Sequence, residues 1–235
     1  MSEIVSFRLE GKVAVVSMDD GKANALSAAM IDQVIAALTR AEAEASAMVL
    51  TGRPERFCAG FDLRVMMSGP EQAKGLLSRG SEMLMRLYGA SVPLVIACTG
   101  HALAGGALIV LTGDVRIATA GSFKIGLNEV AIGMPVPLLA MELARDRLAP
   151  AALTRATLLA HVHTPDEAHA AGFVDEVVAP DQVLPRALAE AERLSGLGRM
   201  PFRATKERLR GRTIAHIRSS LDADMKALMF SATGG

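Results

Sequence analysis

Tryptophan is absent from this 235-residue chain, tyrosine occurs once and phenylalanine seven times. With aromatics at 3%, there is little material for stacking the bases of single-stranded nucleic acid. Charge of one sign is missing too: 25 basic side chains balance 25 acidic ones, so no basic excess points to nucleic acid. Every long apolar stretch is broken by glycine or charge well before about 18 residues, which argues against a membrane span. Met1-Ser2-Glu3-Ile4-Val5 has neither a charged leader nor a long apolar run, and no signal peptide is expected. Cysteine is scarce. Cys58 and Cys98 both sit among apolar residues, a pattern of buried free thiols that fits a reducing cytoplasm. Also missing are the Gly-x-Gly-x-x-Gly and Gly-Lys-Ser/Thr patterns of nucleotide loops. His161-Val162-His163 offers two imidazoles and no third ligand nearby, so no metal site is expected.

What is present is hydrophobic material, 51% of the residues, enough for one medium domain with a full core. Val5 to Leu9 and Val13 to Met18 around Gly11 predict a β-hairpin. Ser27 caps an amphipathic helix whose apolar face holds Met30, Ile31, Val34, Ile35 and Leu38. Short apolar strands are expected at Met48–Thr51, Leu94–Thr99, Val115–Ala118 and Phe123–Ile125, with a helix from about Pro70 to Tyr88. Strands apolar on both faces and alternating with helices indicate α/β architecture with largely parallel pairing. From Pro137 onward the pattern turns helical: Leu138–Leu148, Ala151–Leu159, Pro165–Ala171, Asp181–Leu197 and Thr213–Phe230, with only Val174–Val178 extended. The expected organisation is a core over 1–178 and a helical region over 179–235 that packs on the core or on a neighbouring subunit.

Three segments carry candidate chemistry. Gly100-His101-Ala102-Leu103-Ala104-Gly105-Gly106-Ala107-Leu108 leaves a strand and opens into an apolar helix. Its glycines would let a ligand oxygen approach bare N–H groups at the positive helix end. Cys58-Ala59-Gly60-Phe61-Asp62-Leu63 follows another core strand and supplies a second glycine-containing loop. Two N–H donors from separate loops, converging on one carbonyl oxygen, are what acyl chemistry requires. Third, Glu129 stands alone as a carboxylate in Ile125-Gly126-Leu127-Asn128-Glu129-Val130-Ala131-Ile132-Gly133. Apolar surroundings disfavour its anion and make it a better base; a salt-bridged surface glutamate is the competing reading.

The order of Asn24-Ala25-Leu26, Phe57 to Leu63, Gly100 to Gly106 and Ile125 to Glu129 resembles the crotonase (enoyl-CoA hydratase/isomerase) superfamily. The resemblance implies a spiral of ββα units, a C-terminal helical trimerisation region and a homotrimer or hexamer. It further implies an acyl-CoA thioester substrate, with coenzyme A entering as part of the substrate and no separate cofactor. The oxyanion donors would be the N–H groups of Phe61 and Gly105. Lys22 and Arg64 fall where the family often places cations for the coenzyme phosphates. Ala23, Ala25, Ala59, Leu63, Leu108 and Met134 would be further substrate-binding positions, Met134 as part of an acyl pocket. Asp62 also falls among the substrate-contacting positions, although in related sequences it more often fixes the loop carrying Phe61. Met66, Met67 and Met83 are further acyl-pocket candidates.

Hydratases of the superfamily carry two glutamates that grip the added water. One matches Glu129; the other lies a helical turn past the oxyanion glycine, where this chain has Leu108. A single base can still move a proton from C2 to C4 of a 3-enoyl-CoA, so the resemblance favours Δ3,Δ2-enoyl-CoA isomerases. The alternatives are a hydratase or another enolate-forming enzyme, and, outside catalysis, a silent acyl-CoA binder. Two departures stand out. Ala104 replaces a frequent glycine, and the sequence ends at Phe230-Ser231-Ala232-Thr233-Gly234-Gly235, where many relatives add a basic-aromatic helix. Lys206 and Lys226 are basic residues near that end.

Overall fold

The hairpin forms as its sequence predicts: β1 (Val5–Glu10) pairs antiparallel with β2 (Val13–Met18). The computed structural model describes residues 3–233, so Met1, Ser2, Gly234 and Gly235 lie outside the described residues, as do the side chains of residues 229–233, Phe230 among them. The Ser27 side chain caps α1 (Ala28–Glu44) by accepting the Met30 N–H. There follow β3 (Ala47–Thr51), β4 (Glu55–Cys58), the single turn α2 (Leu63–Met66) and α3 (Pro70–Tyr88). Next come β5 (Leu94–Cys98), β6 (Gly100–Leu103), α4 (Gly105–Thr112), β7 (Val115–Thr119) and β8 (Ile125–Gly126). The last third holds α5 (Leu138–Arg147), α6 (Leu153–Ala156), α7 (Pro165–Ala171), β9 (Glu176–Val178), α8 (Val183–Ser195) and α9 (Arg199–Thr233).

Two sheets result. The larger runs β1-β2-β3-β5-β7-β9 and is parallel apart from the hairpin. Its strands are apolar on both faces because both faces are covered. Ala14, Val16, Met48, Leu50 and Ile96 point into the main core with α1 and α3. Their neighbours Val13, Val15, Val49, Val95 and Ile117 pack under Val183, Ala187 and Ala191 of α8. The smaller sheet, β4-β6-β8, is wholly parallel, and each of its strands continues from a strand of the larger one around a short corner. No helix among the described residues is long and apolar enough to cross a membrane.

Several expectations need correction. Gly100 to Leu103 is not part of a turn; it is a strand in its own right, paired with Glu55–Cys58 on one side and Ile125–Gly126 on the other. The helix expected over Ala151–Leu159 shrinks to Leu153–Ala156. The last helix begins at Arg199 rather than Thr213; its first half lacks an apolar stripe because two of its inward positions are the cations Lys206 and Arg210. The glycine pair of α4 also faces differently from expectation. A Cβ on Gly106 would lie 2.0 Å from the carbonyl oxygen of Cys58, so this glycine faces β4 inside the fold rather than a ligand.

Ala104, between β6 and α4, adopts φ +47 and ψ −119, a region that glycine occupies freely and a Cβ penalises. Such strain costs on the order of 1–3 kcal/mol, against about 0.4–1 kcal/mol for the added freedom glycine brings to the unfolded chain. Ala104→Gly is therefore expected to be neutral or stabilising by up to about 2 kcal/mol in urea unfolding. A loss of about 1 kcal/mol, as in an ordinary helix interior, would refute the strain account.

Candidate active site

The three segments singled out in the sequence leave the C-terminal ends of the three parallel strands of the small sheet. Phe61 follows β4, Gly105 follows β6 and Glu129 follows β8. Carboxyl ends of parallel strands are where such sheets present loops to ligands. Ala104 donates its N–H to Gly126 O at 3.0 Å, which ties the start of the Gly105 helix to the strand that leads to Glu129.

The Phe61 loop is held from several sides. Ala59 N–H donates to Ala23 O at 3.1 Å, Leu26 N–H to Gly60 O at 2.8 Å, and Asp62 N–H to Leu26 O at 3.2 Å. That pattern uses the Gly60 carbonyl and the Asp62 N–H on either side of Phe61 and leaves the Phe61 N–H without an acceptor among the described residues. Gly105 opens α4, so its N–H has no acceptor within the helix. The two loops meet: a Cβ on Gly60 would lie 3.0 Å from Leu103 O and 3.4 Å from Gly105 N. The Phe61 ring fills a slot with glycine on two sides. A Cβ on Gly80 of α3 would come within 2.2 Å of it, and one on Gly105 within 3.1 Å. Two unspent N–H groups thus sit on adjoining loops, as an oxygen acquiring negative charge requires.

Asn24 gives this region its depth. It is fully buried with φ +54, and its Nδ2 donates to Met18 O at 2.9 Å, Arg56 O at 3.1 Å and Phe57 O at 3.2 Å. It thereby fastens the end of β2 to β4. The sequence contains it in a motif, but its clamping role is invisible without the partners.

Glu129 is 6% exposed, and its Oε2 is buried without a hydrogen-bond partner. Burial pushes its carboxyl above the ordinary range, opposed only by a hydrogen bond that the carboxylate accepts from the residue's own backbone N–H. The competing salt-bridge reading is not what the structure has, since no cation partners this carboxylate among the described ion pairs. Its main chain, by contrast, is tied down: Glu129 O accepts from Ile132 N–H at 3.1 Å and Met134 N–H at 2.9 Å. The neighbouring Asn128 Oδ1 is likewise buried and unpartnered.

The remaining candidates fall on different sides of this site. Lys22 is exposed, and Ala23 and Ala25 are half-buried on the strip that pairs with the Phe61 loop. Ala59 and Leu63 are exposed on that loop. Asp62 caps α2 through the Arg64 N–H at 3.0 Å and pairs with the Arg64 guanidinium at 3.0 Å. The Arg64 side chain is otherwise 83% exposed. Leu108 is buried in the first turn of α4, where its N–H donates to Ala104 O. Met134 is half-buried. Met66 joins Phe61 in a small apolar cluster with Leu77, Leu221, Met225 and Leu228, which brings α9 against the loop. Met67 is exposed, whereas Met83 is fully buried in the main core and so is not a pocket residue. Lys206 is spent on Asp114 at 2.7 Å.

Other reactive side chains lie along the small sheet. Burial pushes the Cys58 thiol up to about 12, so no thiolate is available beside the loop. His101 Nδ1 accepts the Lys124 N–H and its ring packs edge-on against Phe123. His163 exchanges two backbone hydrogen bonds with Ile125 and stacks near His161 and Phe173. Two larger surface clefts, of about 540 and 490 Å³, lie elsewhere, between α5 and α9 and at the strand ends of the large sheet. Neither contains Phe61, Gly105 or Glu129.

Residues 8–233 match the family described as enoyl-CoA hydratase/isomerase. The human mitochondrial enoyl-CoA delta isomerase 1 is 32% identical over 219 residues, 91% of this chain and 72% of that protein. A putative enoyl-CoA hydratase of Thermus thermophilus is 34% identical over 207 residues, 85% and 81% of the two chains. Among solved structures, an enoyl-CoA isomerase of Mycobacterium tuberculosis superposes with a TM-score of 0.91 at 40% identity, covering 97% of this chain and 99% of that one. With both the sequence and the two-sheet architecture in agreement, the chain belongs to the crotonase, or enoyl-CoA hydratase/isomerase, family.

Proposed function

We propose that the protein is a Δ3,Δ2-enoyl-CoA isomerase in which Glu129 is the single proton carrier. The carrying observation is the asymmetry of the site: one buried, unpaired carboxylate at 129 and a buried leucine at 108. Two carboxylates would be needed to hold and split a water molecule, and one suffices for a proton shuttle. The thioester oxygen accepts hydrogen bonds from the N–H groups of Phe61 and Gly105. Glu129 removes a proton from C2 of the 3-enoyl chain, and the electron pair of that C–H bond forms the C1–C2 double bond. The carbonyl pair moves onto oxygen, giving a dienolate. Glu129 then returns the proton to C4; the C3–C4 pair takes it up, C2 and C3 become doubly bonded, and the carbonyl re-forms. Lys22 and Arg64 are the cations offered to the coenzyme phosphates. The human relative's name as a delta isomerase supports this reading, while the Thermus relative's name as a hydratase keeps water addition as the competing reaction.

Spectrophotometry of a 3-enoyl-CoA with the purified protein, beside crotonyl-CoA hydration, separates the two. Double-bond migration is expected to be the faster, and faster water addition would overturn the proposal. Glu129→Gln is expected to lower isomerisation by about 10²–10⁴, the usual contribution of a general base; unchanged turnover would remove Glu129 from the mechanism.

The same substitution carries a stability test. Because the folded protein holds the Glu129 proton to higher pH than the unfolded chain does, ionisation of Glu129 opposes folding. That penalty is absent below the ordinary carboxylate range and grows as pH rises toward the elevated folded value. Glu129→Gln should therefore melt higher than the parent at pH 8, with the gap closing near pH 4. A gap of the opposite sign at pH 8 would contradict the desolvated carboxylate.

A further inference from the structure

The helix that starts at Gly105 is buried at all eight of its positions, and its far end is packed with positive charge. Arg147 of α5 donates from Nη2 to Gly113 O at 2.8 Å. Arg210 of α9 donates from Nη1 to Thr112 O at 3.2 Å and to Tyr88 O, the last carbonyl of α3, at 2.9 Å. Carbonyls at a helix C-terminus lack intrahelical partners, and cations there complement the helix dipole.

The ion pairing around this end is uneven. Arg210 pairs with Asp114 at 3.0 Å, and Asp114 is shared with Lys206. Nearby Arg116 is paired with Asp175. Arg147 has no ion pair among the described residues, and its Nε is enclosed without a hydrogen-bond partner. Burial holds Arg147 down to about 10 and Lys206 to about 8, the signature of charges kept in a poorly screened environment. Capping one carbonyl does not require this. A neutral amide could make the same hydrogen bond without the cost of enclosing a charge.

We propose that Arg147 and Arg210 are positioning residues for the reaction: they hold α4 by its C-terminal carbonyls and strengthen the positive field at the Gly105 N–H. This rests on reading Gly105 as an oxyanion donor. Eight helical residues span about 12 Å, and the guanidinium and the oxygen each lie about 3 Å beyond an end, so at an effective dielectric of about 20 one charge is worth up to about fivefold in rate. The two cations therefore act on the oxygen that becomes negative without touching the substrate.

The test separates charge from hydrogen bonding at Arg147. Arg147→Gln keeps a donor for Gly113 O and removes the charge; Arg147→Lys keeps the charge. Hexanoyl-CoA labelled with ¹³C at the thioester carbonyl cannot isomerise, and its infrared stretch reports the field at the donors. In the parent, binding is expected to lower that frequency. Arg147→Gln should give back part of the shift and lower kcat by about two- to fivefold with KM within about twofold. Arg147→Lys should retain most of both, with thermal melts showing that each variant is folded. A full carbonyl shift in Arg147→Gln, or a Lys variant no better than Gln, would overturn the inference while leaving the proposed reaction standing. No shift in the parent would overturn the oxyanion reading itself and this inference with it.

Discussion

The candidate site depends on how closely the backbone of β4 lies against β6 and the first turn of α4. A Cβ at Gly100 would fall 2.0 Å from the carbonyl carbon of Glu55, and one at Gly106 would fall 2.0 Å from the oxygen of Cys58. Backbone atoms cannot swing aside as a side-chain tip can, so any side chain at either position must separate the strands. Between those two contacts the register is set, with a bulge between Arg56 and Cys58 adjusting the end of β4. Because the strands are parallel, their exits lie at one edge. The meeting of the Gly60 and Gly105 backbones is a consequence of sheet packing rather than of the loops' own preferences. Asn24 reinforces it by fixing β4 to the large sheet with three side-chain hydrogen bonds.

Glu129 shows the complementary arrangement. Its carbonyl is bound by two amides of the turn that follows, while its Oε2 is buried with nothing to bond. A buried polar atom without a partner costs roughly 1–3 kcal/mol, more when charged, and such atoms are rare in folded proteins. A fold that fixes the backbone of a residue and leaves one of its carboxylate oxygens unsatisfied keeps that group poorly solvated. That state favours taking up a proton, and it needs no neighbouring charge to produce it.

Much of this was legible in the sequence, and the reasons differ from place to place. The hairpin, the Ser27 cap and the helix from Pro70 to Tyr88 follow local rules that tertiary packing here reinforces. The strands apolar on both faces correctly announced a covered parallel sheet. β4 and β6 were missed because Glu-Arg-Phe-Cys and Gly-His-Ala-Leu carry neither alternation nor length; they are strands only because each lies beside the other. The first half of α9 was missed because Lys206 and Arg210, one turn apart, occupy inward positions that an apolar pattern would have filled. The three site segments could be read from residue types and order. Asn24, Gly80 and Arg147 could not, since their meaning lies entirely in what they touch.

The identity of residue 108 is not dictated by burial alone. Position 108 lies in the first turn of α4, where a carboxylate would be favoured by the positive end of the helix. A glutamate could therefore be tolerated there in spite of the apolar surroundings, and it would neutralise the field that the helix directs toward its N-terminus. Leucine leaves that field intact. At the positive end of α4 the Phe61 ring lies against Gly105. In such a site the negative charge best placed to answer the field is the one that develops on the bound substrate. For the proposed reaction this bears in one direction: with leucine at 108 the field of α4 is left for negative charge on a thioester oxygen, and no second carboxylate stands there to hold water.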